Sequence, residues 1–148
     1  MIKHHQFIFA PGLWMGEGTI KLSLLKEELI FSTKWNTYAQ DSSGLIECMQ
    51  QICVQDVAEP VYNQLIFSDV TLNRFTVEFQ SASLGKLMGK GLTTEHKIAW
   101  EFKAEDIGFE GLEIYEKVDE NRYQMYAEYA TQDELRTVIK GVIWQVIS

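Results

Sequence analysis

The chain has 148 residues and 46% apolar side chains, enough for one domain spanning residues 1–148 with a sizeable core. Its formal charge of −8, with no Lys/Arg cluster anywhere, argues against nucleic acid and against anionic membrane surfaces, since both attract basic patches. The apolar runs are too short to span a bilayer, and Met1 to Ala10 lacks the sustained apolar stretch of a signal peptide, so the expected location is the cytoplasm.

Gly12-Leu13-Trp14-Met15-Gly16-Glu17-Gly18-Thr19-Ile20-Lys21-Leu22 reads as the opening strand of a closed β-barrel. Trp14, Gly16, Gly18, Ile20, Leu22 and Leu24 fall on one face, and Met15, Glu17, Thr19, Lys21 and Ser23 on the other. That is the period-two pattern of a strand with one side in a core. After the polar turn Lys26-Glu27-Glu28, a second strand places Leu29, Phe31, Thr33, Trp35 and Thr37 inward. Asp41-Ser42-Ser43-Gly44 is a turn by composition, and a third strand follows with Ile46, Cys48, Gln50, Ile52 and Val54 inward. Cys48 and Cys53 then point to opposite faces and do not bridge each other; two separate thiols are expected.

A fourth strand covers Val61 to Val70, after the breaker Glu59-Pro60, and a fifth carries Phe75, Val77 and Phe79 on one face. Gly85 to Thr94 is a glycine-rich strand or hairpin. Its Gly85-Lys86-Leu87-Met88-Gly89-Lys90-Gly91 run imitates a phosphate loop but has the wrong glycine spacing, no Ser/Thr after the lysine and no helix behind it. His96 to Lys103 alternates again, with Ile98, Trp100 and Phe102 against Lys97, Glu101 and Lys103. Residues 104–108 form a loop, and Phe109 to Val118, Arg122 to Ala130 and Thr137 to Ile147 complete the set. Thr131 to Arg136 fits a short helical turn, capped by Thr131 with Glu134 three residues on.

About ten short strands with turn signals between them fit an all-β sandwich or barrel. Short sequential turns favour an antiparallel up-and-down meander, and closing it removes the exposed edges, so a single barrel is expected. The last strand is apolar on both faces, with Ile139, Ile143 and Ile147 opposite Val138, Val142, Trp144 and Val146. It therefore needs cover on its outer side, from a homodimer partner or from the N-terminal Phe7-Ile8-Phe9.

Gly12-x-Trp14 at the start of the first strand, the strand count and a late arginine together resemble the calycin superfamily of lipocalins, fatty-acid-binding proteins and nitrobindin-like barrels. Gly12 to Gly18 is most similar to the Gly-x-Trp-x-Gly-x-Gly opening of the bacterial nitrobindin-like and fatty-acid-binding-like group. The resemblance implies that a late cation packs over Trp14 and closes the barrel base; Arg136 is the position that matches, with Lys140 second. Nitrobindin-like proteins hold haem through a late histidine, whereas the last histidine here is His96, so no cofactor is expected.

His4 and His5 diverge on an extended chain and have no further ligands at zinc-like spacing; no metal site is assigned, and terminal disorder or simple solvation is their expected state. No serine, cysteine or histidine arrangement suggests nucleophilic catalysis, and no catalytic residue is assigned. Glu113, Tyr115, Tyr126 and Glu128 are ambiguous in facing. Inward, they would line a cavity beside Thr33, Trp35 and Gln50, with Arg74, Arg122 or Arg136 as charge partners; outward, they form exposed cross-strand pairs.

The leading expectation is a barrel that binds a small apolar or amphipathic molecule inside, lined by Phe31, Trp35, Gln50, Phe79, Trp100, Glu113, Tyr115, Tyr126 and Glu128. Two alternatives use the same fold. One is an enzyme with Glu113 or Glu128 as acid/base; the other is a packed barrel acting as an interaction module through its last strand.

Overall fold

The computed structural model of the chain describes residues 4–82, 85–132 and 135–147. Ten antiparallel strands run in sequence order around a closed barrel: β1 (Gly12–Leu22), β2 (Leu29–Thr37), β3 (Ile46–Val54), β4 (Val61–Ser68) and β5 (Arg74–Ser81), then β6 (Gly85–Thr93), β7 (Lys97–Ala104), β8 (Phe109–Asp119), β9 (Arg122–Ala130) and β10 (Arg136–Gln145). Each strand pairs with its sequence neighbours, and β1 pairs with β10 to close the ring. A single turn of 3-10 helix, Glu105–Ile107, joins β7 to β8 and ends at Gly108, whose φ of 65° is left-handed. The expected helical turn at 131–136 falls in part on residues 133 and 134, outside the described residues.

Alternation drives these elements. In β2, Phe31, Thr33, Trp35 and Thr37 are buried while Ile30, Ser32, Lys34 and Asn36 are exposed. Boundaries depart from expectation by a residue or two: β4 stops at Ser68, β10 runs from Arg136 to Gln145, and Leu24 lies exposed in the turn beyond β1. Cys48 is buried and Cys53 exposed. The phosphate-loop imitation lies within β6. Gly89 and Gly91 are there because the Phe102 and Phe75 rings lie against the backbone, and a Cβ at Gly91 would overlap the Phe75 ring.

Call upper the end reached by the last residue of β1. The lower end is closed by the chain's own N-terminus. Phe7 and Ile8 are fully buried, and the Phe7 ring sits 5.2 Å from Trp14, 5.2 Å from Trp35, 5.0 Å from Tyr115 and 5.5 Å from Tyr123. The chain reverses at Ile8, whose φ of 62° lies where a β-branched residue is strained; burial of its side chain holds it there. Phe9 continues inward against Phe67 and Phe75.

His5 pins this segment. Its Nε2 donates to the Thr94 carbonyl at 2.7 Å, so its Nδ1 accepts from the Tyr123 hydroxyl at 2.6 Å. Burial is the main influence lowering its pKa. The expectation of a solvated His5 is therefore corrected: the ring is buried and both nitrogens are used.

The expected base closure is corrected too. Gly12 opens β1 and Trp14 is fully buried at the lower end, but Arg136 starts β10 at the upper end, where its backbone bonds to Ser23. Its guanidinium pairs outside with Glu128. Trp14 is covered instead by Phe7 and Tyr123, with ring centroids 5.2 and 5.6 Å away.

Nor does Phe7-Ile8-Phe9 cover the outer face of β10. Val138, Val142 and Trp144 stand between Lys21, Glu17 and Met15 of β1 and Glu128, Gln124 and Arg122 of β9. The stems of such long side chains cover apolar neighbours, and a homodimer built on this strand is not supported.

At the seam, Gly18 faces Gly141, and the backbones approach so closely that a Cβ on either would collide with the other strand's carbonyl groups.

Replacing the plug residue and the arginine separates the two closures. Phe7→Ala should cost about 3–5 kcal/mol of unfolding free energy. Arg136→Ala removes a surface ion pair and should cost less than about 1 kcal/mol. Chemical denaturation followed by near-UV circular dichroism measures both.

Candidate functional site

Below mid-height the barrel is filled by aromatic rings. Trp35, Trp100 and Tyr115 are fully buried, with Trp100 stacked on Tyr115 at 5.1 Å and Trp35 edge-on to both. Above them lies a cavity of about 280 Å³. Its apolar wall comes from inward residues near the upper ends of the strands, among them Ile20, Phe31, Ile52, Phe79, Phe102 and Ile139. Val61, 46% exposed, forms part of the rim.

The polar wall is small. Thr33, Gln50, Asn63, Ser81, Glu113 and Tyr129 line the cavity, and among the described residues the lining includes no Lys, Arg or His. Asn63 Nδ2 donates to Gln50 Oε1 at 3.0 Å, and the buried Asn63 Oδ1 has no hydrogen-bond partner among the described residues. Thr33 Oγ1 donates to the Gln51 carbonyl.

Glu113 is 4% exposed. Its shell follows from strand geometry. Tyr115 shares its face two residues on, Tyr129 lies diagonally across on β9, where Ala127 is the direct partner, and Trp100 is directly opposite on β7. Tyr115 donates to Oε1 at 2.6 Å and Tyr129 to Oε2 at 2.7 Å. Burial raises the Glu113 pKa, and the two hydroxyls oppose the rise. Trp100 opposes it in the same sense, although its indole N–H falls short of hydrogen-bond geometry, as does that of Trp35. Burial also holds both tyrosine hydroxyls well above their ordinary range, with the neighbouring carboxylate adding to it. Cys48, which accepts from Thr37 below the cavity, is pushed up to about 12 by burial.

Of the expected lining, Phe31, Gln50, Phe79 and Glu113 face the cavity. Trp35, Trp100 and Tyr115 point inward but belong to the packed core beneath it. Tyr126 and Glu128 require correction. Inward positions of β9 are Tyr123, Met125, Ala127 and Tyr129, because the alternate set would bury Arg122 and Glu128. Tyr126 instead donates to Glu128 at 3.0 Å on the outer surface, beside Arg136. Of the two candidate glutamates, Glu113 is thus the one that faces the cavity. Asn63 and Tyr129 were not expected; both stand on the inward face of strands whose alternation predicts it.

No family model matches the chain, and no curated protein matches it. Among solved structures, the chain is similar to the S-type phycobiliprotein lyase CPES from Guillardia theta, with a TM-score of 0.70 at 10% identity over 96% of this chain and 91% of that one. It is also similar to a redesigned β-barrel, with a TM-score of 0.51 at 12% identity over 99% and 98%. At these identities the likeness is one of fold.

A raised carboxyl pKa gives a definite pH dependence. The folded protein holds its Glu113 proton to higher pH than the unfolded chain. Stability is therefore whole below the ordinary carboxyl pKa and is lost as pH rises through the folded value. Glu113→Gln should melt about 3–8 °C above the parent at about pH 9, with the gap closing to about 2 °C or less near pH 4. Thermal melts across pH check this.

Proposed function

We propose that the protein binds a small, largely apolar molecule in the upper half of its barrel. The observation that carries this is the cavity of about 280 Å³, walled by apolar side chains, with a buried carboxyl and a buried amide pair on its polar side. The volume lies just under the ~300–1,000 Å³ common for small-molecule sites, and a few convergent polar groups in an apolar pocket are what fix a ligand's orientation. Strand side chains that met across the interior would leave no such space; here the aromatic floor stops at Trp35, Trp100 and Tyr115.

The solved barrel from Guillardia theta supports the reading at the level of architecture. A protein named as a phycobiliprotein lyase uses a barrel of this form. The lyase activity itself is not carried over. Of the acid/base candidates in the sequence, Glu113 stands in the cavity, and its two hydroxyl donors hold it in place as an orienting group for a ligand.

Uptake of a neutral fluorescent probe, N-phenyl-1-naphthylamine, tests this directly. The parent protein should bind one equivalent with enhanced probe emission, and Ile52→Trp, which fills the cavity from its wall, should weaken binding by roughly tenfold or more. Equal probe binding by both proteins, or none by the parent, would remove the proposal.

A further inference from the structure

We infer that the polar group of the ligand is a hydrogen-bond donor, with a protonated amine on an apolar body as the preferred form, and that a ligand carboxylate is excluded. The inference rests on the cavity-binding proposal above and names the chemistry of its ligand.

The charged group in the cavity's wall is an acceptor, Glu113, while the Gln50 amide, whose Oε1 accepts from Asn63, adds N–H donors to the same wall. On β8, Glu113 spends one acceptor site of each carboxyl oxygen on a tyrosine hydroxyl, which leaves capacity on both oxygens. On β4, several strands away around the ring, Asn63 lines the cavity, and its amide is held by the bond from Nδ2 to Gln50. No Lys, Arg or His stands among the described lining residues to neutralise an anion. A fatty-acid carboxylate would place a second carboxyl group beside Glu113 in a low-dielectric space, where two such groups cannot both carry charge without strong repulsion.

An ammonium group reverses every one of these terms. It has three donors and no acceptor, it supplies the charge that the Glu113 carboxylate lacks, and its hydrogen bonds to that carboxylate are charge-assisted. The chain's net charge of −8 also favours the approach of a cation over that of an anion. A neutral hydroxyl or amide N–H satisfies the acceptors without the charge, and so ranks second.

A matched series of one chain length separates these heads. Decylamine, decanol and decanoate are titrated against the parent protein loaded with N-phenyl-1-naphthylamine, at neutral pH and below their micellar range. Decylamine should displace the probe best, decanol less well, and decanoate at least roughly tenfold more weakly than the amine. In Glu113→Gln, which keeps the side chain's shape and removes its charge, decylamine should lose more affinity than decanol, so that its advantage over decanol vanishes.

Decanoate displacing the probe as well as decylamine overturns the inference, as does an amine preference that survives in Glu113→Gln. Probe uptake with no displacement by any of the three also overturns it, and leaves the cavity-binding proposal standing. Absence of probe uptake removes both. The ranking in the parent protein needs no variant, so poor folding of Glu113→Gln would not rescue a wrong answer.

Discussion

The structure turns on how a ten-stranded ring is filled. About eight strands enclose a space that inward side chains can fill between them; two more strands widen it. Here the chain fills the lower half with its own N-terminal segment, and Phe7 is the piece that fits. Its ring meets four aromatic residues from β1, β2, β8 and β9, and those residues meet each other. With Phe7 in place, Trp35, Trp100 and Tyr115 become a rigid floor. What lies above that floor is space, and the inward residues of the upper strands become a lining rather than a core.

Much of this was legible in the residues. Alternation and turn signals located the strands and the split facing of the two cysteines, because burial of one sheet face imposes period two on the chain, while closure into a barrel followed from the short sequential turns and the need to remove exposed edges. The misjudged positions have separate physical origins. Tyr126 and Glu128 were tempting as a polar pair, yet choosing them inward also drags Arg122 into the core, and a strand cannot turn two side chains without turning the rest. Arg136 matched a late cation in related barrels, but antiparallel pairing of the first and last strands puts the start of β10 opposite the end of β1, a barrel's length from Trp14. His5 was beyond reach: its partners lie 118 and 89 residues away, and a terminal segment that enters the barrel end-on carries no periodicity.

Glu113 gives the cavity its character because everything around it is fixed. The two tyrosine hydroxyls that hold it are themselves kept protonated far into the alkaline range, so they remain donors wherever the protein is folded. Glu113 is then the one carboxyl among the described lining residues. Geometry and charge are separated: the shell sets where the oxygens are, and pH or a bound ligand sets whether they carry a proton. The outer-surface trio of Tyr126, Glu128 and Arg136 shows the contrast. The same residue types on the outer surface make an ion pair that water screens and that shapes nothing inside.

The facing glycines at the seam have a bearing on chain statistics. Nine of the ten strand pairings join neighbours in sequence through short turns, so each closes a small loop. The pairing of β1 with β10 is the exception and gathers nearly the whole chain into one ring. The entropy of that single closure is worth about 4 kcal/mol in a simple polymer picture, and it has to be recovered along one interface. Bare backbone at Gly18 and Gly141 lets the two strands come nearer than side chains would allow, at the point where the ring is joined. Whether the molecule is a ring or an unrolled meander is decided at that line, and the loop-rich remainder of the barrel inherits the answer.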